Sequence, residues 1–160
     1  MQNMPSLRET VCHLVHRADF LLNRENSRAL EPFGVTMYQA MGLIYVADHE
    51  QDRTVNQRAL EQYTQLSNPG VTKLVTGLEK MGLLERTHDP EDARSYALRT
   101  THRGREQVEV FRDLILDTDR RLTRNLSAEE RETLSELLHK INSWVNSKVS
   151  LLDHKQEDSA

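Results

Sequence analysis

Leu7, Val11, Leu14, Val15, Ala18, Leu21 and Leu22 recur at three- and four-residue steps. That spacing draws one face of a long amphipathic helix, predicted from about Ser6 to Leu30. Ser6 is placed to cap it, with Glu9 completing a capping box, and Pro32 and Gly34 end it. A helix of roughly 25 residues would be about 37 Å long. One small core does not fill that length, so part of the apolar face is expected to meet a second subunit. Thr36 caps a second helix, broadly apolar through Met37, Ala40, Met41, Ile44, Tyr45 and Ala47 and therefore central, which stops at the polar turn Asp48-His49-Glu50-Gln51-Asp52. Thr54-Val55 has the makings of a short strand. Asn56 then caps a short helix carrying Ala59, Leu60 and Tyr63.

The next helix begins at Ser67 as cap, with Pro69 in its first turn, where a missing N–H costs nothing. Val71, Leu74, Val75 and Leu78 form its inward stripe. The opposite face shows Asn68, Gly70, Thr72, Lys73 and Thr76, small, polar or basic residues that can approach a groove closely. Gly82 ends it. Two helices joined by a tight turn, the second with a short-polar face, make a helix-turn-helix pattern. Leu83 to Thr87 and Ser95 to Thr100 read as strands flanking the charged loop Asp89-Pro90-Glu91-Asp92-Ala93-Arg94. Thr101 caps a further long helix with Val108, Phe111, Leu114, Ile115, Leu122 and Leu126 inward. Ser127, with Glu130 as its capping-box partner, opens the last one, striped by Leu134, Leu137, Leu138, Ile141, Trp144, Val145 and Val149. The tail from Asp153 is polar and expected to fray.

The chain has 160 residues, about one domain's worth, rich in charge and poor in aromatics. No apolar run approaches the roughly 20 residues of a membrane span. The start, Met1-Gln2-Asn3-Met4-Pro5, has no basic residue and no apolar signal core, so secretion is not expected, and the lone cysteine, Cys12, has no partner for an internal disulfide; a reducing cytoplasm is the expected compartment. Net charge is -4, which alone argues against nucleic acid. Its distribution argues otherwise: seven basic and five acidic residues between Ser67 and Arg105 leave +2 there and -6 elsewhere. No glycine-rich phosphate loop and no nucleophile–base pair is present. His13 and His16 have the spacing of a helical metal pair but no regular third ligand. Neither catalysis, a cofactor nor a resident metal is expected.

The chain resembles the MarR family of winged helix-turn-helix regulators. The residues that carry the resemblance are Leu60, Leu66-Ser67-Asn68-Pro69-Gly70-Val71-Thr72-Lys73-Leu74, Leu78-Glu79-Lys80-Met81-Gly82-Leu83-Leu84-Glu85-Arg86, Asp89-Pro90-Glu91-Asp92-Ala93-Arg94, and Gly104. Departures are Thr100-Thr101, where the family commonly has Leu-Thr, and Ser95, where it often has Gly. Neither removes a charge that would face DNA. The resemblance implies a mainly α fold with a small two- to three-stranded β-wing. It implies one domain over residues 1–160, with residues 6–34 and 101–152 as dimerisation helices and 35–100 as a winged helix-turn-helix. The implied function is that of a homodimeric regulator, a repressor, on a pseudo-palindromic site in double-stranded DNA. Helix 67–81 would enter the major groove and wing 86–96 the minor groove.

Lys73 is the candidate phosphate or guanine contact, and Ser67, Asn68, Gly70, Thr72 and Thr76 would approach phosphates and base edges. Arg94 suits a narrow minor groove, held by Asp92 and followed by Ser95. Arg86 either supports the wing or reaches a phosphate. Against this stands a solvated helix face and an ordinary surface ion pair, or a helical interaction protein that keeps the winged fold without binding DNA. Control in the family comes from a small-molecule effector, for which His13, Arg17, Tyr38, Met41 and Tyr45 are candidate pocket residues; the same set reads equally as core. In other members a cysteine near the start of the first helix senses peroxide with the help of tyrosines. Cys12 is at a similar place, but the matching tyrosine positions hold His16, Asn26 and Met37. Cys12 is therefore either a redox thiol or an inert one packed beside the stripe of Val11, Leu14 and Val15.

Overall fold

A computed structural model describes residues 6–89 and 96–157, with residues 145–157 as helix backbone. The chain forms two compact units, Met1–Asp119 and Arg120–Ala160. In the first, α1 spans Val11–Leu30, α2 Met37–His49, α3 Gln57–Thr64 and α4 Asn68–Lys80; then come β1, Leu84–His88, β2, Tyr96–Thr100, and α5, which starts at His102 and ends at Leu122. In the second, α6 spans Ala128–Glu157.

The first helix does not run unbroken from Ser6. Ser6 caps only a 3-10 turn, Leu7–Glu9, through a bond to the Arg8 N–H, and the reciprocal Glu9 bond is not made. Thr10 then takes extended backbone (ψ 145°), and its hydroxyl accepts the His13 N–H while donating to the Leu7 carbonyl. Two capping residues compete within five positions; the second opens α1, and its conformation interrupts the helix. The other end is as predicted: a 3-10 turn Glu31–Phe33 with Pro32 inside it, then Gly34 at φ 65°. Only Asn26 and Leu30 of α1 are buried, so the apolar face is bare further up, with Val11 62% and Leu14 54% exposed.

α2 is central, as its composition predicts. Ala40, Leu43 and Val46 are fully buried, and the helix packs on α3, α4 and β2. Its start is a full capping box, Thr36 with Gln39. The core continues through Leu30, Val55, Leu60, Val71, Val75, Leu78, Leu98 and Phe111. Burying a side chain of this size contributes about 1.5–3 kcal/mol, and these residues come from all five helices of the unit and from β2. Thr54-Val55 does not form a strand; the Val55 carbonyl accepts one bond, from the Leu98 N–H at 2.7 Å. The described sheet is two-stranded and antiparallel, with Leu84 opposite Thr100 and His88 opposite Tyr96.

Thr101 caps α5 by accepting the Gly104 N–H at 2.9 Å. Gly104 lies against the Leu83 carbonyl so closely that a β-carbon there would overlap it. The Ser127–Glu130 capping box predicted for α6 forms in both directions. On α6, Leu134, Leu137 and Ile141 remain exposed at helical spacing, and the chain's only tryptophan, Trp144, is 63% exposed. No described helix is long and apolar enough to cross a membrane.

Candidate nucleic-acid interface

The turn between α3 and α4 is fixed by local chemistry. Asn56 caps α3 by accepting the Ala59 N–H at 3.0 Å. The helix ends on Gln65, the one described non-glycine residue with positive φ (56°), whose side chain bonds the Gln62 carbonyl. Thr64 turns its hydroxyl back to Leu60 and accepts from the Leu66 N–H, which sets the exit direction. α4 starts two residues on. Its inward stripe, Val71, Leu74, Val75 and Leu78, is buried throughout, as predicted. Its far end closes with the Gly82 N–H on the Glu79 carbonyl and the Leu83 N–H on the Leu78 carbonyl. This is the Schellman pattern, which needs the left-handed φ of 66° that Gly82 supplies.

The outer face of α4 divides into tied and untied groups. The Asn68 amide donates to Glu61 of α3 at 2.7 Å, and Thr72 accepts from Gln57 of α3 at 3.1 Å. These two bonds pin one helix to the other. Ser67 occupies the N-cap position, but its side chain makes no capping bond there, so the predicted cap is one of position only. Lys73 and Lys80 are exposed, and Thr76 is half-buried. With Gln39 of α2, Pro69 and Gly77 they line an open groove of about 530 Å³.

Beside α4 stand the wing strands. Arg86 of β1 pairs with Glu79 of α4 at 3.5 Å, and its Nε is buried without a partner among the described residues. Of the two roles left open for Arg86, these contacts favour support of the wing from α4. The loop residues Asp92, Arg94 and Ser95 lie outside the described residues.

The far end of the wing is anchored by a residue of the polar turn that follows α2. Glu50 follows the last turn of α2 and is 4% exposed. Its carboxylate accepts the Thr100 N–H at 2.7 Å and the Thr100 hydroxyl at 2.6 Å. Arg99 donates to the Glu50 carbonyl, and Arg105 donates to the Thr100 carbonyl at 2.8 Å. The end of α2 is thereby fastened to the junction of β2 and α5.

The helix-turn-helix and the first wing strand lie within residues 33–95, which one family model matches. That family is MarR, and the chain resembles it over these residues. Among MarR-family relatives, the HTH-type transcriptional regulator YdgJ of Bacillus subtilis is 29% identical over 108 residues, which span 68% of this chain and 63% of YdgJ, just under two thirds of its length. BilQ, an HTH-type transcriptional regulator of Clostridioides difficile, is 25% identical over 134 residues, covering 84% of this chain and 86% of BilQ. A crystal structure of the S. aureus MepR–DNA complex superposes with a TM-score of 0.78 at 27% identity, covering 88% of this chain and 99% of that one. The family and these relatives are transcriptional regulators, not enzymes.

The candidate effector residues are spread over α1 and α2. Arg17 and Tyr38 are exposed, and His13 and Met41 half-buried. Tyr45 is held in a ring cluster. It stacks on Tyr63 of α3 with centroids 4.3 Å apart, meets His49 at the same distance, and its hydroxyl accepts from Arg53 at 2.6 Å. Burial, and then Asp48 and Tyr45, raise the Tyr63 pKa above its ordinary value. Another cleft, of about 380 Å³, opens where Phe33, Met81, Leu83 and Phe111 form an apolar floor beside Lys80, Arg103 and Gln107. Its residues come from three separate stretches of sequence, and no single motif marks them. Cys12 is exposed in the single chain, beside a stripe that is itself uncovered there.

Proposed function

We propose that the chain is a homodimeric, sequence-specific DNA-binding repressor. Its recognition helix 67–81 enters the major groove of a pseudo-palindromic site, and wing 86–96 enters the adjoining minor groove. The observation that carries this reading is α4, sealed on one side by four buried apolar residues and presenting Lys73, Thr76 and Lys80 on the other, braced by α3 and the wing. Residues 1–160 act as one MarR-type domain, with 6–34 and 101–152 as the dimerisation segments. The exposed apolar positions of α1 (Val11, Leu14, Val15) and of α6 (Leu134, Leu137, Ile141) support that role. Release follows binding of a small-molecule effector, with His13, Arg17, Tyr38, Met41 and Tyr45 as the contact set.

A mobility-shift titration with the duplex upstream of the protein's own gene, at several salt concentrations, tests the core of this. Binding should fall steeply with salt, because each neutralised phosphate releases counterions. Lys73→Ala and Arg94→Ala should each weaken it at unchanged fold. No shift at low salt by a folded dimer would sink the proposal. The exposed Cys12 thiol gives the peroxide-sensing version its own test: equal release of DNA by wild type and Cys12→Ser on peroxide addition dismisses it.

A further inference from the structure

We propose that Gln39, on α2 and outside the recognition helix, is a DNA-backbone contact that donates its carboxamide N–H to a phosphate at the edge of the α4 groove. The proposal rests on the DNA-binding reading above.

Three observations carry it. The first is orientation. Gln39 Oε1 accepts from the Thr36 N–H at 2.9 Å and from the Thr36 hydroxyl at 3.1 Å. The capping box thereby fixes which end of the amide faces Thr36 and turns Nε2 the other way. Among the described residues Nε2 has no acceptor. The second is access. Gln39 Nε2 lies over Gly77, in the third turn of α4, where a β-carbon would run into it. Glycine is a poor choice inside a thirteen-residue helix. Here it leaves room for a side chain from another helix to reach the outer groove. The third is company. The same groove is lined by Lys73 and Lys80, with Thr72 and Thr76 between them and no acidic residue. Two ammonium groups and an oriented, unused N–H make a site for a phosphodiester oxygen.

The orientation also decides what Gln39 does not do. Reading adenine with a glutamine takes both the amide oxygen and the amide nitrogen. The Gln39 oxygen is already committed to Thr36, so the residue positions the duplex and carries no base preference.

Gln39→Glu separates the two functions of the amide. Glutamate serves the capping box equally well, but it presents a carboxylate where the phosphate would be. Urea midpoints should match wild type. Affinity should fall at least tenfold, by the same factor for the upstream duplex and for a scrambled duplex of the same length. Gly77→Ala keeps residue 39 and pushes its amide aside; it should lose affinity severalfold without loss of fold, and it serves if the glutamate variant is unstable. Wild-type affinity in either folded variant overturns the assignment of Gln39 alone. A loss confined to the upstream duplex overturns the backbone role. Failure of the wild type to shift either duplex overturns the DNA-binding reading, and this proposal with it.

Discussion

Truncating Glu50 to alanine should destabilise the protein far more than a residue in a polar turn ordinarily would. The carboxylate holds two donors of one residue, the Thr100 N–H and the Thr100 hydroxyl, and Thr100 is itself 2% exposed. Removing it strands a buried backbone N–H, which costs about 1–3 kcal/mol. The hydroxyl can turn toward another acceptor, so its share is smaller, about 1 kcal/mol for one ordinary bond. Arg105, 3.9 Å from the carboxylate and more than half exposed, adds little. The sum is about 2–4 kcal/mol. Glu50→Gln keeps one acceptor and loses the charge assistance, so it should fall between, at about 1–2 kcal/mol. The assay is urea unfolding followed by circular dichroism, at one fixed protein concentration so that self-association is held constant. A Glu50→Ala loss under about 0.5 kcal/mol, the scale of an ordinary surface change, would refute the clamp.

Gly104→Ala should also destabilise, by about 1–3 kcal/mol, because the new methyl meets the Leu83 carbonyl and outweighs the helix-propensity gain of about 1 kcal/mol; a urea midpoint at or above wild type counts against the close packing. Leu14→Asp with Val15→Asp should convert dimer to monomer in sedimentation, and an unchanged sedimentation coefficient removes α1 from the interface. Tyr63 should titrate above its ordinary value of 10.0, since burial and Asp48 oppose the phenolate. Its raised folded pKa contributes stability that is complete below the unfolded value and lost as pH rises through the folded one. Tyr63→Phe should remove that step from the tyrosinate absorbance titration, and an ordinary midpoint for Tyr63 would contradict the ring cluster.

What the sequence made legible was local. Thr36, Asn56, Thr101 and Ser127 each cap the helix assigned to them, because a cap and its target lie within one turn. Buried stripes such as Val71, Leu74, Val75 and Leu78 were legible for the same reason, periodicity. Where two local signals competed, as Ser6 and Thr10 do, the pattern of apolar residues gave no winner, and the helix began later than its stripe. Long-range pairings left no trace. Glu50 reads as a turn residue until Thr100, fifty positions on, is brought beside it. Gly77 reads as a weakness in α4 until Gln39 fills the space. At the interface, Lys73 and Thr76 could be picked out from their face alone. That Asn68 and Thr72 are tied to α3 depends on Glu61 and Gln57, whose side chains no motif marks.

The position of Trp144 gives the protein an optical property of its own. As the chain's only indole, largely exposed on α6, it supplies all tryptophan emission from one place. Emission from the separate chain should move to the blue if a second copy covers the α6 stripe. Dilution watched through this band therefore follows assembly. Pairing, which a gel reports together with DNA binding, can be followed through its own signal without attaching a dye.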